Sequence, residues 1–198
     1  MQRSALDILL NLCYYRLMKS TSKPTSLNLN SPSFKAEAAQ LSPGTSVLLS
    51  GTCYLARDAA HKRLFELLES GLPLPFELSG AAIYYCGPTE TPPGGVIGAA
   101  GPTTSSRMDK YTPRLLEAGL CAIIGKGARA QYVDEAVARH GAVYFTAVGG
   151  AGAVLSQRII SSEIVAFAEL GAEAVRRVVL SDFPATVAQN GRGSIFGH

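Results

Sequence analysis

The stretch CAIIGKGARAQYVDEAVARHGAVYFTA, residues 121–147, decides the fold class. Cys121–Ile124 is a short apolar run and reads as a buried-type strand. Gln131–Arg139 has helical spacing, and Gly141 follows it where a helix stops. Ala142–Ala147 is again an apolar run. The same alternation extends outward. Toward the N-terminus, Thr45–Ser50 reads as a strand before Gly51. Asp58 caps a helix whose Leu64, Leu67 and Leu68 form an apolar stripe ending at Gly71. Ala81–Cys86 reads as a strand, Thr89–Gly95 as a loop and Val96–Ala100 as another short strand. A helix is predicted over Ser106–Glu117, with Met108, Tyr111, Leu115 and Leu116 inward and Gly119 at its end. Toward the C-terminus, Glu163–Glu169 and Arg177–Leu180 read as strands. Thr186–Ala188 and Ser194–Phe196 flank Asn190-Gly191, a hairpin signal. Alternating elements closed by a hairpin predict a layered α/β domain with a mixed sheet.

A chain of 198 residues favours one domain. Its 18 Lys+Arg against 15 Asp+Glu give a net charge of +3, too mild and too scattered for a nucleic-acid-binding arm. With 47% hydrophobic and 17% charged residues, it can bury a core, which excludes disorder as the main state. So low a charged fraction also fits a surface partly covered by a partner. Residues 1–18 hold an apolar stretch interrupted by Asp7, Asn11 and Arg16, too short to span a bilayer and without a small-residue cleavage site after it. Leu6, Leu9, Leu10 and Cys13 fall on one helical face. Residues 19–33 (KSTSKPTSLNLNSPS) are polar and read as a linker. The expected organisation is an N-terminal extension and linker over 1–33 and one domain over 34–198, cytoplasmic, with no membrane segment. Cys13, Cys53, Cys86 and Cys121 form no C-x-x-C, and with His61, His140 and His198 they make no zinc pattern. They are expected as free, mostly buried thiols.

Ligands of open α/β sheets bind beyond the carboxyl ends of the strands, and three loops there carry chemistry. In the first, Arg57 stands before the helix start, where its charge opposes the positive helix end. An anion is needed there, either Asp58 or a ligand shared with the helix terminus. The second, GAAGPTTSSRMD over 98–109, joins small residues to four consecutive hydroxyls and Arg107. An N-cap uses one hydroxyl, so this loop reads as a carboxylate or phosphate cradle. It is neither a P-loop nor G-x-G-x-x-G. In the third, glycines flank Lys126, which either enters the same crevice or is solvated. Two arginines, a lysine and hydroxyls suit a small dianion such as a dicarboxylate. No Ser-His-Asp set and no complete metal-ligand set stands out, so the inventory reads as half an active site.

At these residues the chain resembles a known family. GTCYLARDAAHKR (51–63), GPTTSSRMDKY (101–111) and IGKG (124–127), in that order, with FPATVAQNGRG (183–193), resemble the β-subunit or C-terminal domain of the iron–sulfur hydro-lyases, the class I fumarases and L(+)-tartrate dehydratases. The similarity spans about residues 40–190. The resemblance implies a "swivelling" β/β/α three-layer domain and reversible hydration of fumarate to L-malate in the tricarboxylic acid cycle, or dehydration of tartrate. It implies a [4Fe-4S] cluster ligated by a partner α-subunit rather than by this chain, a C4-dicarboxylate substrate and homo-oligomer contacts. Arg57 and Arg107 would bind substrate carboxylates, with Lys126 helping. Thr103 would be the base at the C3 proton, aided by a carboxylate of the partner chain, and Thr104 rivals it in that role and is otherwise a substrate contact. Asp58 and His61 read as orienting residues. Cys53 departs from the family pattern, which leaves a contact with the cluster open. A non-catalytic dicarboxylate-binding module is the alternative from another functional class.

Overall fold

The computed structural model describes residues 23–197. Eight strands form one mixed sheet: β1 (Thr25–Asn28), β2 (Ser46–Leu55), β3 (Ala82–Tyr84), β4 (Ala122–Gly125), β5 (Val143–Thr146), β6 (Ile159–Ala166), β7 (Val175–Asn190) and β8 (Gly193–Ser194). Strands β1 to β5 pair in sequence and in parallel. The long β7 runs antiparallel to β5 and also to β2, so β2, β3, β4, β5 and β7 close into a five-stranded, barrel-like ring. β6 and the terminal strand β8 pair antiparallel with β7. Closure leaves the ring itself without a free edge.

Side chains alternate along each strand, and that alternation sorts the core into two. Leu49, Leu55, Tyr84, Ile124, Phe145, Val178, Phe183 and Val187 belong to one buried cluster. Their neighbours Ile83, Tyr85, Ile123 and Tyr144 belong to a second, packed with residues of the helices. The helices are α1 (Phe34–Gln40), α2 (Asp58–Glu69), α3 (Thr112–Glu117), α4 (Gln131–Arg139) and the single turn α5 (Gly152–Leu155). Ala60 and Leu64 of α2, Leu115 and Leu116 of α3, and Val133 and Val137 of α4 enter the second cluster. Each buried side chain of this size contributes about 1.5–3 kcal/mol over its exposed state.

Several expectations need correction. The polar stretch read as a linker contains β1, whose Leu27 is buried and whose strand pairs with β2. The helix expected over Ser106–Glu117 is two pieces, a 3-10 helix at Ser105–Met108 and then α3. Pro113 lies in the first turn of α3; it has no amide hydrogen to continue a preceding helix and disfavours helical geometry before it. Val96–Ala100 is no strand; it is part of a loop folded back on itself, with the Ala99 amide on Thr89 Oγ1 at 2.9 Å. The strand read at Glu163–Glu169 lies earlier, at Ile159–Ala166, and the runs at 177–180 and 186–188 are one strand kinked where Asp182 takes a φ of 49°. The helical face of Leu6, Leu9, Leu10 and Cys13 lies outside the described residues.

Candidate functional site

The parallel strands all point their carboxyl ends the same way, and the three chemically rich loops follow three of those ends. β2 leads into Ala56-Arg57 and the start of α2. The loop after β3 carries Thr103–Arg107. β4 leads into Lys126. Backbone pairing draws the second loop onto the strand ends. Thr103 N donates to Tyr85 O at 2.8 Å, and Ser105 N donates to Lys126 O at 3.0 Å. Lys126 N donates in return to Ser105 Oγ at 3.0 Å, and Thr104 and Lys126 form an isolated parallel bridge. The approach is close enough that a β-carbon on Gly125 would collide with Ser105 Oγ. Ser105 is thus fully buried as a structural hydroxyl, while Thr104 and Ser106 are exposed and Thr103 is half-buried.

Arg57 and Arg107 converge on one carboxylate. Asp58 Oδ2 lies 2.8 Å from Arg107 Nη2 and 3.8 Å from Arg57 Nε. Arg107 Nη1 also donates to Thr103 Oγ1 at 3.4 Å. Arg57 Nη2 donates to Glu173 Oε1 at 2.7 Å, and Glu173 Oε2 accepts from the Ala59 amide at 2.6 Å. The stem of Arg57 crosses Gly87 so closely that a β-carbon there would stand 2.9 Å from Arg57 Cδ. The result is a row, Glu173–Arg57–Asp58–Arg107–Thr103, with two cations and two anions. Burial raises the Glu173 carboxyl, but the Ala59 amide and the Arg57 and Arg107 charges outweigh it and hold it below the usual range.

The anion beside Arg57 therefore has two sources. Asp58 was one of the two expected from the sequence; Glu173 was not. Lys126 shares the backbone of the site, but its side chain lies along Gly149, with Nζ 3.6 Å from where a β-carbon on that glycine would stand. Among the described residues no carboxylate lies within 4 Å of its ammonium. His61 does not reach the open face. It is fully buried, its Nδ1 lies 3.1 Å from Arg57 O, and its ring meets Tyr85 edge-on at 4.8 Å. Burial lowers it to about 4, so it is neutral at pH 7.

Beneath the hydroxyl loop lies a buried ion pair that the sequence did not single out. Arg129 Nε donates to Asp109 Oδ1 at 2.6 Å and Arg129 Nη2 to Thr112 Oγ1 at 2.8 Å. Asp109 Oδ2 accepts from the Ala130 amide at 2.8 Å. The guanidinium stands over the rings of Tyr85 and Tyr144, 5.4 and 5.2 Å from their centroids. Tyr144 also hydrogen-bonds Ser105 Oγ at 3.0 Å and Gly127 O at 2.7 Å, which links this pair to the hydroxyl loop and to the loop after β4.

Cys53, Cys86 and Cys121 are free and buried. Burial drives the Cys53 thiol far up, Cys86 to about 12 and Cys121 to about 11. Cys53 and Cys121 direct their thiols at backbone carbonyls. These cysteines do not fit as cluster ligands. Among the described residues no three His, Cys, Asp or Glu side chains come together to hold a metal ion. Nor is any described helix long and apolar enough to cross a membrane.

Comparison with known proteins adds a match over residues 10–197 to the family model described as the fumarase C-terminus. That match begins earlier than the similarity read at about 40–190. The chain is 39% identical over 174 residues to the class I anaerobic fumarate hydratase of Escherichia coli K12, covering 86% of this chain and 32% of that protein. It is 36% identical over 179 residues to fumarate hydratase 2 of Leishmania major, covering 89% of this chain and 32% of that protein. It is 34% identical over 166 residues to a putative L(+)-tartrate dehydratase subunit beta of Methanocaldococcus jannaschii, covering 81% of this chain and 85% of that protein. The chain spans about a third of the length of the fumarate hydratases it matches.

Proposed function

The chain belongs to the fumarase C-terminus family, whose matched relatives are hydro-lyases, and from that premise we propose that it acts as the β-subunit of a class I fumarate hydratase. In this reading it interconverts fumarate and L-malate together with an α-subunit. The observation that carries the reading is the Asp58 carboxylate reached by both Arg57 and Arg107, beside the Thr103 hydroxyl. A carboxylate already occupies the place between the two guanidiniums, so the geometry suits a substrate carboxylate. The β-subunit form draws on the Methanocaldococcus relative. The swivelling β/β/α name for the architecture belongs to the same proposal.

Each residue has a derivable task. Arg107 and Arg57 grip substrate carboxylates, and Lys126 adds a third positive charge at the strand ends. Abstracting a proton beside a carboxylate builds negative charge on it, and the fixed Arg107 guanidinium beside Thr103 stabilises that charge without reorganisation. In the dehydration direction Thr103 Oγ1 accepts the C3 proton of malate as its own hydroxyl proton passes to a carboxylate of the partner. A threonine hydroxyl is a weak base, and the Arg107 guanidinium 3.4 Å away favours its deprotonated form. A carboxylate of the partner completes the relay, and Thr104 is the exposed neighbour that touches substrate. Asp58 keeps the arginines aligned, and His61 holds the backbone at Arg57. The [4Fe-4S] cluster of this reading belongs to the α-subunit, since the described cysteines here do not fit it.

Anaerobic co-expression with a cluster-bearing α-subunit, assayed on L-malate, tartrate and mesaconate, tests the proposal. Turnover of malate above the others is expected. No turnover of any of them contradicts the enzyme reading. Tartrate turnover without malate turnover selects the second reading, a tartrate dehydratase β-subunit, which the 85% coverage of that relative favours.

A further inference from the structure

We propose that Glu173 is a positioning residue for the dicarboxylate site, fixing the Arg57 guanidinium and the first turn of α2 with a single carboxylate so that Arg57 stands ready before substrate arrives. The proposal rests on the dicarboxylate reading of Arg57 and Arg107. Arg57 sits at the N-cap of α2, a position where a cation is disfavoured and where no side chain of its own caps the helix. Glu173 meets both needs from 116 residues away: Oε1 takes Arg57 Nη2 at 2.7 Å, and Oε2 takes the Ala59 amide at 2.6 Å. Charge-assisted bonds to both oxygens leave the carboxylate little freedom. The pair is partly shielded, with Arg57 at 29% and Glu173 at 21% side-chain exposure, so it is screened less than a surface pair.

Glu173 comes from the 3-10 segment Ala168–Glu173, which leads into β7. That segment is held against α2 by a separate contact one turn further along. Arg63 Nη2 meets Glu169 Oε1 at 2.6 Å, and the Arg63 guanidinium lies 5.5 Å from the centroid of the Phe167 ring. Docking of the segment thus has its own contacts, well exposed, while Glu173 places its charge on the arginine that faces the site. Fixing a binding arginine from behind is a recognised way of keeping a site within productive geometry. Because Arg57 grips substrate and transition state alike, its loss of position falls on KM more than on kcat.

The test has two readouts. The first needs no turnover: the Arg57 guanidinium Nη–H signals of the full chain are followed by NMR, with the buried Arg129 as reference. Glu173→Gln is expected to speed exchange at Arg57 and leave Arg129 unchanged; an unchanged Arg57 signal overturns the proposal. The second uses the assembled enzyme. Glu173→Gln is expected to lower kcat/KM about 10–100-fold, mainly through KM, and Glu173→Asp to recover part of it. In an Arg57→Ala background the same change is expected to cost less than about twofold, because Glu173 then has no arginine to position. Equal losses in both backgrounds would mark a purely structural role and overturn the proposal. Glu169→Gln is the control and leaves KM unchanged. If the wild-type assembly turns over no dicarboxylate, the functional reading fails and the NMR comparison still decides the positioning role.

Discussion

Two arginine–aspartate pairs lie under and beside the same loop and differ in almost everything but distance. Arg129 and Asp109 meet at 2.6 Å, with side-chain exposures of 0% and 8%. Arg107 and Asp58 meet at 2.8 Å, with exposures of 51% and 29%. The first pair is enclosed by Tyr85, Thr112 and Tyr144, and nothing from solvent can replace either partner. The second is open, and its carboxylate is shared with Arg57. One pair is scaffold; the other, in the function proposed above, is where a substrate carboxylate would meet the two arginines that Asp58 aligns. The contrast shows that the same pairing of charges can be sealed in the core or left facing solvent, and only the second can be reached by a ligand.

Breaking the enclosed pair has the largest expected effect. Asp109→Ala leaves a buried guanidinium without its anion and should cost about 3–5 kcal/mol, lowering Tm by roughly 6–20 °C for a chain of this size. A melting curve matching wild type would contradict the scaffold role. Acidification should act next most strongly, through His61. Its folded value of about 4 lies below the ordinary 6.5, so between these the unfolded chain binds more protons. The stability His61 contributes is present above 6.5 and is lost as pH falls toward 4, about 3 kcal/mol in all. His61→Gln should flatten that part of the Tm-against-pH curve; an unchanged slope would show that the ring titrates elsewhere. The more exposed pair should be the mildest to break. Asp58→Asn is expected to change stability by less than about 1 kcal/mol, because the Arg107 side chain it pairs with is 51% exposed and water can solvate the freed guanidinium, measured by urea denaturation. A loss as large as that of Asp109→Ala would erase the distinction between the two pairs.

Much of this arrangement was legible in the residues. Local periodicity located α4 at Gln131–Arg139 and the apolar runs of β4 and β5, because these elements are set by short-range pattern. The three strand-end loops carry Arg57, Asp58, Thr103, Arg107 and Lys126 in the sequence, and the structure joins the first four while the Lys126 side chain lies along Gly149. What escaped is long-range or non-periodic. β7 closes the ring by pairing with β2 across more than a hundred residues, which no local window registers. Val96–Ala100 has the composition of a strand, yet its backbone packs back on Thr89 and Glu90, where a β-carbon on Gly98 would collide. Asp109 and Arg129 are twenty residues apart with no periodic relation, and only tertiary packing pairs them. Glu173 lies at the end of a 3-10 segment beyond β6, and nothing in its neighbours marks it as a partner of Arg57.

In the function proposed above, Arg57 and Arg107 bind the dicarboxylate. Steady-state hydration of fumarate by the chain co-expressed with a cluster-bearing α-subunit, comparing wild type with Arg107→Ala, tests this most directly. A loss of about 10²–10³ in kcat/KM with an unchanged melting temperature is the predicted result. Wild-type turnover by the Arg107→Ala assembly would contradict it.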